Sequence, residues 1–91
     1  MTSSAAEVRP LARNVQVSDD ELTVELADGR RISAPLVWFP RLLAADATER
    51  QKWELLGDGE GIHWPAVDED LSVAGLLAGA RSHSRPLRRA G

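Results

Sequence analysis

The stretch Glu21–Ala34, ELTVELADGRRISA, decides the fold class of this chain. Polar and apolar residues alternate from Glu21 to Leu26, which is the period of a strand with one buried face and one exposed face. Asp28-Gly29 follows, and both residues tolerate the positive φ angles of the tight turns that match the twist of a sheet. Arg30–Ala34 is then the returning strand. The stretch predicts an antiparallel hairpin early in the chain.

Further elements are predicted on both sides of the hairpin. Asn14–Val17 precedes it as a short strand. After Pro35, which ends the returning strand because it has no N–H to donate, two helices are expected. The first runs from Pro40 to Ala45, with proline in its first turn. The second begins with a capping box at Thr48–Gln51 and ends before Gly57.

The last third of the chain adds a strand and a helix. Gly61–Trp64 is a short strand that Pro65 ends, and Ser72 is a good N-cap for a helix over Val73–Ala78. Asp68, Glu69 and Asp70 precede this helix, whose positive dipole end favours acids. The order predicts an α+β fold: a small antiparallel or mixed sheet with an early hairpin, and two to three short helices packed on one face.

Length and composition define the class of protein. The 91 residues make one domain, predicted over residues 13–80, with a flexible N-terminus at 1–12 and a basic, flexible C-terminal tail at 81–91. The chain has no cysteine, no secretory signal and no apolar run of about 18 residues, so we expect no disulfide, no membrane span and a cytoplasmic location.

Charge is unevenly distributed along the chain. Asn14–Ala80 carries thirteen acidic and five basic residues, whereas the tail carries four arginines and no acid: Arg81, Arg85, Arg88 and Arg89. A basic tail can contact phosphate, but tails are usually solvated ends, and an acidic body argues against nucleic-acid binding by the folded part. We therefore expect at most weak nucleic-acid contact through the tail.

The residues that carry chemistry do not form a catalytic or metal-binding pattern. His63 lacks a second histidine at ligand spacing, and three consecutive acids, Asp68, Glu69 and Asp70, cannot all face one ion. The candidate hydroxyls have structural roles as strand residue or cap, and no base and orienting acid accompany them at a recognisable spacing: Ser33, Thr48 and Ser72. The sequence predicts no metal, no cofactor and no enzymatic activity, with an enzyme of unrecognised type left as an alternative.

Aromatic and acidic residues indicate two places for contact with a partner. The three tryptophans of the chain are first of all core candidates, but tryptophan and arginine are also preferred interface residues. Trp38 and Arg41 lie on a predicted connection, where functional residues concentrate. The predicted partner-binding residues are Trp38, Arg41, Asp68, Glu69 and Asp70.

Three blocks of the sequence resemble one bacterial family. They are Asp28-Gly29-Arg30, then Pro35–Leu42 (PLVWFPRL), and then Gly61–Ser72 (GIHWPAVDEDLS). Together they are similar to the family called "domain of unknown function 2442", over about Asn14–Gly79. Ala66 and Ala74 depart from it, since acids are commoner there.

The resemblance implies an uncharacterised domain, which in some members is joined to a helix-turn-helix. Many members are encoded beside a small protein in pairs that look like toxin–antitoxin modules, with this family on the antitoxin side. We therefore expect a non-enzymatic protein-binding domain, the antitoxin-like partner of a small and basic adjacent-encoded protein. A DNA-associated regulator using the tail is the other alternative, and the oligomeric state, including a homo-oligomer, is left open.

Overall fold

The computed structural model describes residues 10–79, which form an α+β fold of two three-stranded antiparallel sheets and three short α-helices. The α+β class is therefore confirmed. The strands are β1 Ala12–Val17, β2 Glu21–Leu26, β3 Arg31–Pro35, β4 Glu54–Leu56, β5 Gly61–Trp64 and β6 Glu69–Ser72. The helices are a 3-10 turn Leu36–Trp38, α1 Pro40–Ala44, α2 Ala47–Gln51 and α3 Val73–Leu77.

The first sheet has the strand order β1-β2-β3 and contains the predicted hairpin. The apolar residues of β2, namely Leu22, Val24 and Leu26, are buried, as the alternation requires. Gly29 takes φ +97° in the hairpin turn. The Asp28 carboxylate accepts hydrogen bonds from Arg30 N–H at 3.0 Å and Arg30 Nε at 2.8 Å. The turn is thus closed by its own side chains.

The second sheet has the order β4-β5-β6, and only β5 was predicted from the sequence. The antiparallel strands are thus divided between two sheets, where the sequence analysis described one. β4 takes the place of the predicted end of the second helix, since α2 ends at Gln51, and Leu55 pairs with Ile62 of β5. β6 takes the place of the predicted acidic loop before α3.

The helix starts are set by side-chain caps. The N-cap of α2 is Asp46 rather than Thr48. The Asp46 carboxylate accepts the Glu49 N–H at 2.8 Å, and the Glu49 carboxylate accepts the Asp46 N–H at 3.0 Å. This is the predicted type of cap, formed two residues earlier. The predicted cap of α3 is confirmed, because the Ser72 hydroxyl accepts the Gly75 N–H at 2.9 Å.

Both sheets contribute to one hydrophobic core, in which Phe39 and Trp64 are the largest fully buried side chains. At one end the sheets meet directly. The Ala12 N–H donates to the Gly59 carbonyl at 2.8 Å, and a Cβ on Gly59 would lie 2.5 Å from the Ala12 carbonyl oxygen. Only glycine permits this approach. Within residues 10–79 no helix is long and apolar enough to cross a bilayer.

Arg50 joins three parts of the fold. Its Nε donates to the Leu42 carbonyl at 3.0 Å and its Nη2 to the Leu43 carbonyl at 2.9 Å, which satisfies carbonyl groups at the end of α1. Its Nη1 donates to Asp19 at 3.0 Å, and its own carbonyl accepts the Trp64 indole N–H at 3.0 Å. The arginine thereby fixes α1 against β5 and the β1–β2 turn.

Candidate functional site

The two regions that the sequence indicated for partner contact meet at one surface. Arg41, in the first turn of α1, donates from Nη1 to the Asp68 carbonyl at 2.7 Å, and its Nη1 lies 3.7 Å from Asp68 Oδ2. The Arg41 side chain is only 20% exposed, whereas that of Asp68 is 86% exposed. The first turn of α1 and the β5–β6 turn therefore lie side by side.

The three consecutive acids point in different directions. Asp68 lies in the β5–β6 turn with φ +55°, a left-handed conformation that aspartate tolerates better than most residues. Glu69 and Asp70 lie on β6, where successive side chains face opposite sides. Asp70 is exposed, whereas Glu69 is fully buried and neither of its carboxylate oxygens has a hydrogen-bond partner in the described part of the chain. Glu69 therefore cannot touch a partner in this conformation.

An acid–histidine–acid row crosses the outer side of the second sheet. The strand register places Glu54 beside His63 and His63 beside Asp70. His63 Nδ1 is hydrogen bonded to Asp70 Oδ1. We call the exposed or half-exposed side chains Glu54, His63, Asp68 and Asp70 the acidic face. Among residues 10–79, no three histidine, aspartate or glutamate side chains are placed to hold a metal ion.

The acidic face favours the protonated form of its histidine. The hydrogen bond to the Asp70 carboxylate raises the pKa of His63 above its ordinary value, and the negative charges of Asp70, Glu54 and Asp68 act in the same direction against a partial desolvation. His63 is therefore a cation between carboxylates only when its imidazole is protonated. It neutralises part of the acidic face at low pH and none of it at high pH.

The tryptophans mainly serve the core. Trp64 is fully buried, and Trp38 and Trp53 are partly buried against the same hydrophobic cluster. Beside Trp38, Val37 is 64% exposed, which makes it the most exposed large apolar side chain among residues 10–79. Val37 therefore adds exposed apolar surface to the connection that precedes α1, and the sequence analysis did not identify it. The sequence gives no signal for the exposure of Val37, because the apolar residues Leu36 and Phe39 of the same segment are buried.

The excess of acidic over basic residues is largest in the second sheet and its connections. Residues 52–79 contain six acidic residues and a single lysine, Lys52, whereas residues 10–51 contain seven acidic residues and five arginines. The predicted nucleic-acid contacts cannot be placed beside this surface, because they lie outside the described residues: Arg81, Arg85, Arg88 and Arg89. Residues 10–79 thus carry thirteen acidic and six basic residues, and basic residues are scarcest in the second sheet and its connections.

Comparison with known proteins identifies the family. The family described as "Protein of unknown function (DUF2442)" matches residues 12–82. A crystal structure of a protein of unknown function from Rhodospirillum rubrum is 30% identical, with a TM-score of 0.71 over 85% of this chain and 95% of that chain. A solution NMR structure of an uncharacterised protein from Chromobacterium violaceum, 24% identical, shares the fold with a TM-score of 0.70 over 90% of this chain and 76% of that chain.

No curated protein matches the chain. The two solved structures are described without an activity or a ligand. They therefore support the fold of this chain and give no information about its function. The family match covers most of the 91 residues and agrees with the blocks around Gly29, Trp38 and Trp64. This chain therefore belongs to the DUF2442 family of proteins of unknown function.

Proposed function

We propose that this domain is a cytoplasmic, non-enzymatic protein-binding module that recognises a small basic protein through the acidic face and the adjoining Arg41 region. The observation that carries the proposal is the placement of Asp68 and Asp70, whose exposed carboxylates flank a buried Glu69 on the edge of an acid-rich sheet. Carboxylates at a rim attract a basic partner and select it from others by complementary potential.

The connection before α1 supplies the other half of the proposed surface. Arg41 is held against the Asp68 carbonyl, so the β5–β6 turn and α1 present a fixed geometry rather than two independent loops. Val37 adds exposed apolar area at the same connection. Apolar contact beside a polar and charged rim is the usual anatomy of a protein interface. The family resemblance supports a partner encoded beside this protein, with this chain as the antitoxin-like member.

The test is a pair of charge reversals of equal size. Asp68→Lys/Asp70→Lys changes the acidic face. Asp20→Lys/Glu21→Lys changes two exposed acids, one in the β1–β2 turn and one at the start of β2, by the same net charge. Binding of the adjacent-encoded protein is followed by surface plasmon resonance, with a thermal melt of each variant. We expect the first pair to slow association at least tenfold and the second pair to change it little. Equal association rates for both folded variants would refute the proposal.

A further inference from the structure

β4 is an outer strand of the second sheet. All three strand residues, Glu54, Leu55 and Leu56, are solvent accessible, and the two leucines are 37% and 41% exposed. Exposed edge strands present unpaired backbone groups that another strand can use, and proteins usually protect them with charge or a covering segment. The two adjacent leucines of β4 are exposed and uncharged, so they give the edge no such protection. From this edge we propose that two copies of the chain pair through β4 in antiparallel fashion, which joins their second sheets into one six-stranded sheet.

The hydrogen-bond pattern of the sheet decides which β4 residue faces outward. The Val73 N–H donates to the Glu60 carbonyl at 2.9 Å. Glu60 and Val73 are the next opposed pair after Gly61 and Ser72, so this pair is a hydrogen-bonded one. Because bonding directions alternate along an antiparallel strand, Glu60 and Ile62 direct their backbone groups toward β6, and Gly61 directs its own toward β4. Leu56, opposite Gly61, therefore bonds inward. The next residue, Leu55, directs its N–H and carbonyl away from the sheet.

A two-fold axis through Leu55 uses these outward groups. In that arrangement Leu55 of one copy exchanges both backbone hydrogen bonds with Leu55 of the other, and Glu54 lies opposite Leu56. The side chains of the two Leu55 residues meet on the side of the sheet that carries Ile62. A one-residue shift that centres the axis on Glu54 would instead place two carboxylates directly opposite each other, which is destabilising.

Charge complementarity favours a second copy as the occupant of this edge. Lys52 precedes β4 and is the only lysine or arginine in residues 52–79, and Asp58 lies in the turn that follows β4. Antiparallel pairing about Leu55 brings Lys52 of each copy beside the turn with Asp58 of the other. A two-fold interface needs a surface that is complementary to itself, and a strand with a cation before it and an anion after it meets that need.

The contact is small, so the expected dimer is weak and depends on concentration. A three-residue strand buries far less than the roughly 800 Å² per partner of a standard interface. Sedimentation velocity up to about 1 mM protein covers the range in which so small an interface assembles. Amide exchange at Leu55 should also slow as the concentration rises, because its N–H becomes bonded only in the dimer.

Leu55→Glu tests the axis, because it places two carboxylates opposite each other. We expect this variant to stay monomeric at the concentration where the unmodified chain forms dimers. The matched control is Leu43→Glu, since Leu43 is 43% exposed and lies on α1. A thermal melt confirms that each variant is folded. A chain that is monomeric at about 1 mM, or a dimer that Leu55→Glu leaves intact, would overturn the proposal.

A charge exchange tests the register. Lys52→Glu and Asp58→Lys should each weaken the dimer several-fold, and the double variant should restore it, because the cation and the anion only trade places. Failure of the double variant to recover, with both single variants weakened, would exclude the Leu55-centred pairing. Selective binding of another protein's strand at this edge, with no self-association, would equally exclude the second copy as its occupant.

Discussion

The two sheets of this protein stabilise their charged groups in different ways. In the first sheet, Asp28 bonds Arg30 two residues away, and Thr23 and Ser33 share a hydrogen bond across the hairpin. In the second sheet, the acids have few basic neighbours: Asp70 has His63, and the buried Glu69 has no hydrogen-bond partner among residues 10–79. The charges of the first hairpin are thus paired close to one another in the chain, whereas Asp68 and Asp70 of the second sheet are paired with Arg41 and His63 from other elements.

The two sheets also differ in the interactions that determine the register of their strands. The strands of the first sheet have five or six residues and short connections, so their register follows from local alternation and turn geometry. The strands of the second sheet have three or four residues and depend on contacts with α2, β1 and the core. Perturbing the junction between the sheets should therefore affect stability more than perturbing the hairpin.

The largest effect is expected from Gly59→Ala, at the junction. Gly59 has φ +113°, and a Cβ there would lie 2.5 Å from the Ala12 carbonyl oxygen. Gly29 is the matched control, since it has φ +97° but no described atom within 4 Å of the same position. We expect urea denaturation to show a loss of about 3–5 kcal/mol for Gly59→Ala and about 1–2 kcal/mol for Gly29→Ala. Equal losses would show that strain alone, and not the contact between the sheets, decides the outcome.

A smaller effect of opposite sign is expected from Glu69→Met. Both carboxylate oxygens of Glu69 are buried without a partner in the described chain, which disfavours the folded state. Methionine is also unbranched and has no such groups, so we expect the free energy of unfolding to rise by about 1–3 kcal/mol. Glu21→Met, at an exposed position of the first sheet, should change it by less than about 0.5 kcal/mol. A clear loss of stability in Glu69→Met would mean that the carboxylate has a stabilising partner in solution.

The smallest effect is a pH dependence that should distinguish the sheets. Because the hydrogen bond to Asp70 raises the pKa of His63, this pair stabilises the fold below the unfolded histidine pKa of about 6.5, and the contribution is lost as pH rises through the higher folded value. The difference in stability between the unmodified chain and Asp70→Asn should therefore be larger at pH of about 5.5 than at about 8.5.

Asp28→Asn provides the control for this pH experiment. The Arg30 backbone N–H lowers the pKa of Asp28, so its contribution is present above the unfolded aspartate value and is lost only as pH falls through the lower folded value. The Asp28→Asn difference should thus stay constant between pH of about 5.5 and about 8.5. Parallel pH profiles for both variants would contradict the assignment of the His63–Asp70 pair.

The sequence was sufficient for the first sheet and insufficient for the second. Alternation around Asp28-Gly29 predicts the hairpin because each inward position is apolar. Leu55 and Leu56 continue a helical segment equally well, and their pairing with β5 becomes visible only in three dimensions. β6 has one apolar residue, Leu71, since its other inward position is Glu69, and a charged residue is rarely fully buried.

The residues of the candidate site could be predicted from the sequence, but the contacts between them could not. Arg41 and Asp68 could each be chosen from residue type and position on a connection. However, 26 residues lie between them in the chain, and their hydrogen bond depends on how the fold places α1 beside the β5–β6 turn. The pairing of His63 with Asp70 was hidden for the same reason, since it follows from a strand that the sequence did not indicate.

The contact between Ala12 and Gly59 has a consequence for the order of folding. Each sheet closes mainly through contacts between near neighbours in the chain, which form quickly, whereas this contact joins residues about half the chain apart. The two sheets are then candidate cooperative units whose association is the slow step. The Ala12 amide should acquire protection from hydrogen exchange later than the amides inside the hairpin, and in the native protein it should exchange with the first opening of the molecule.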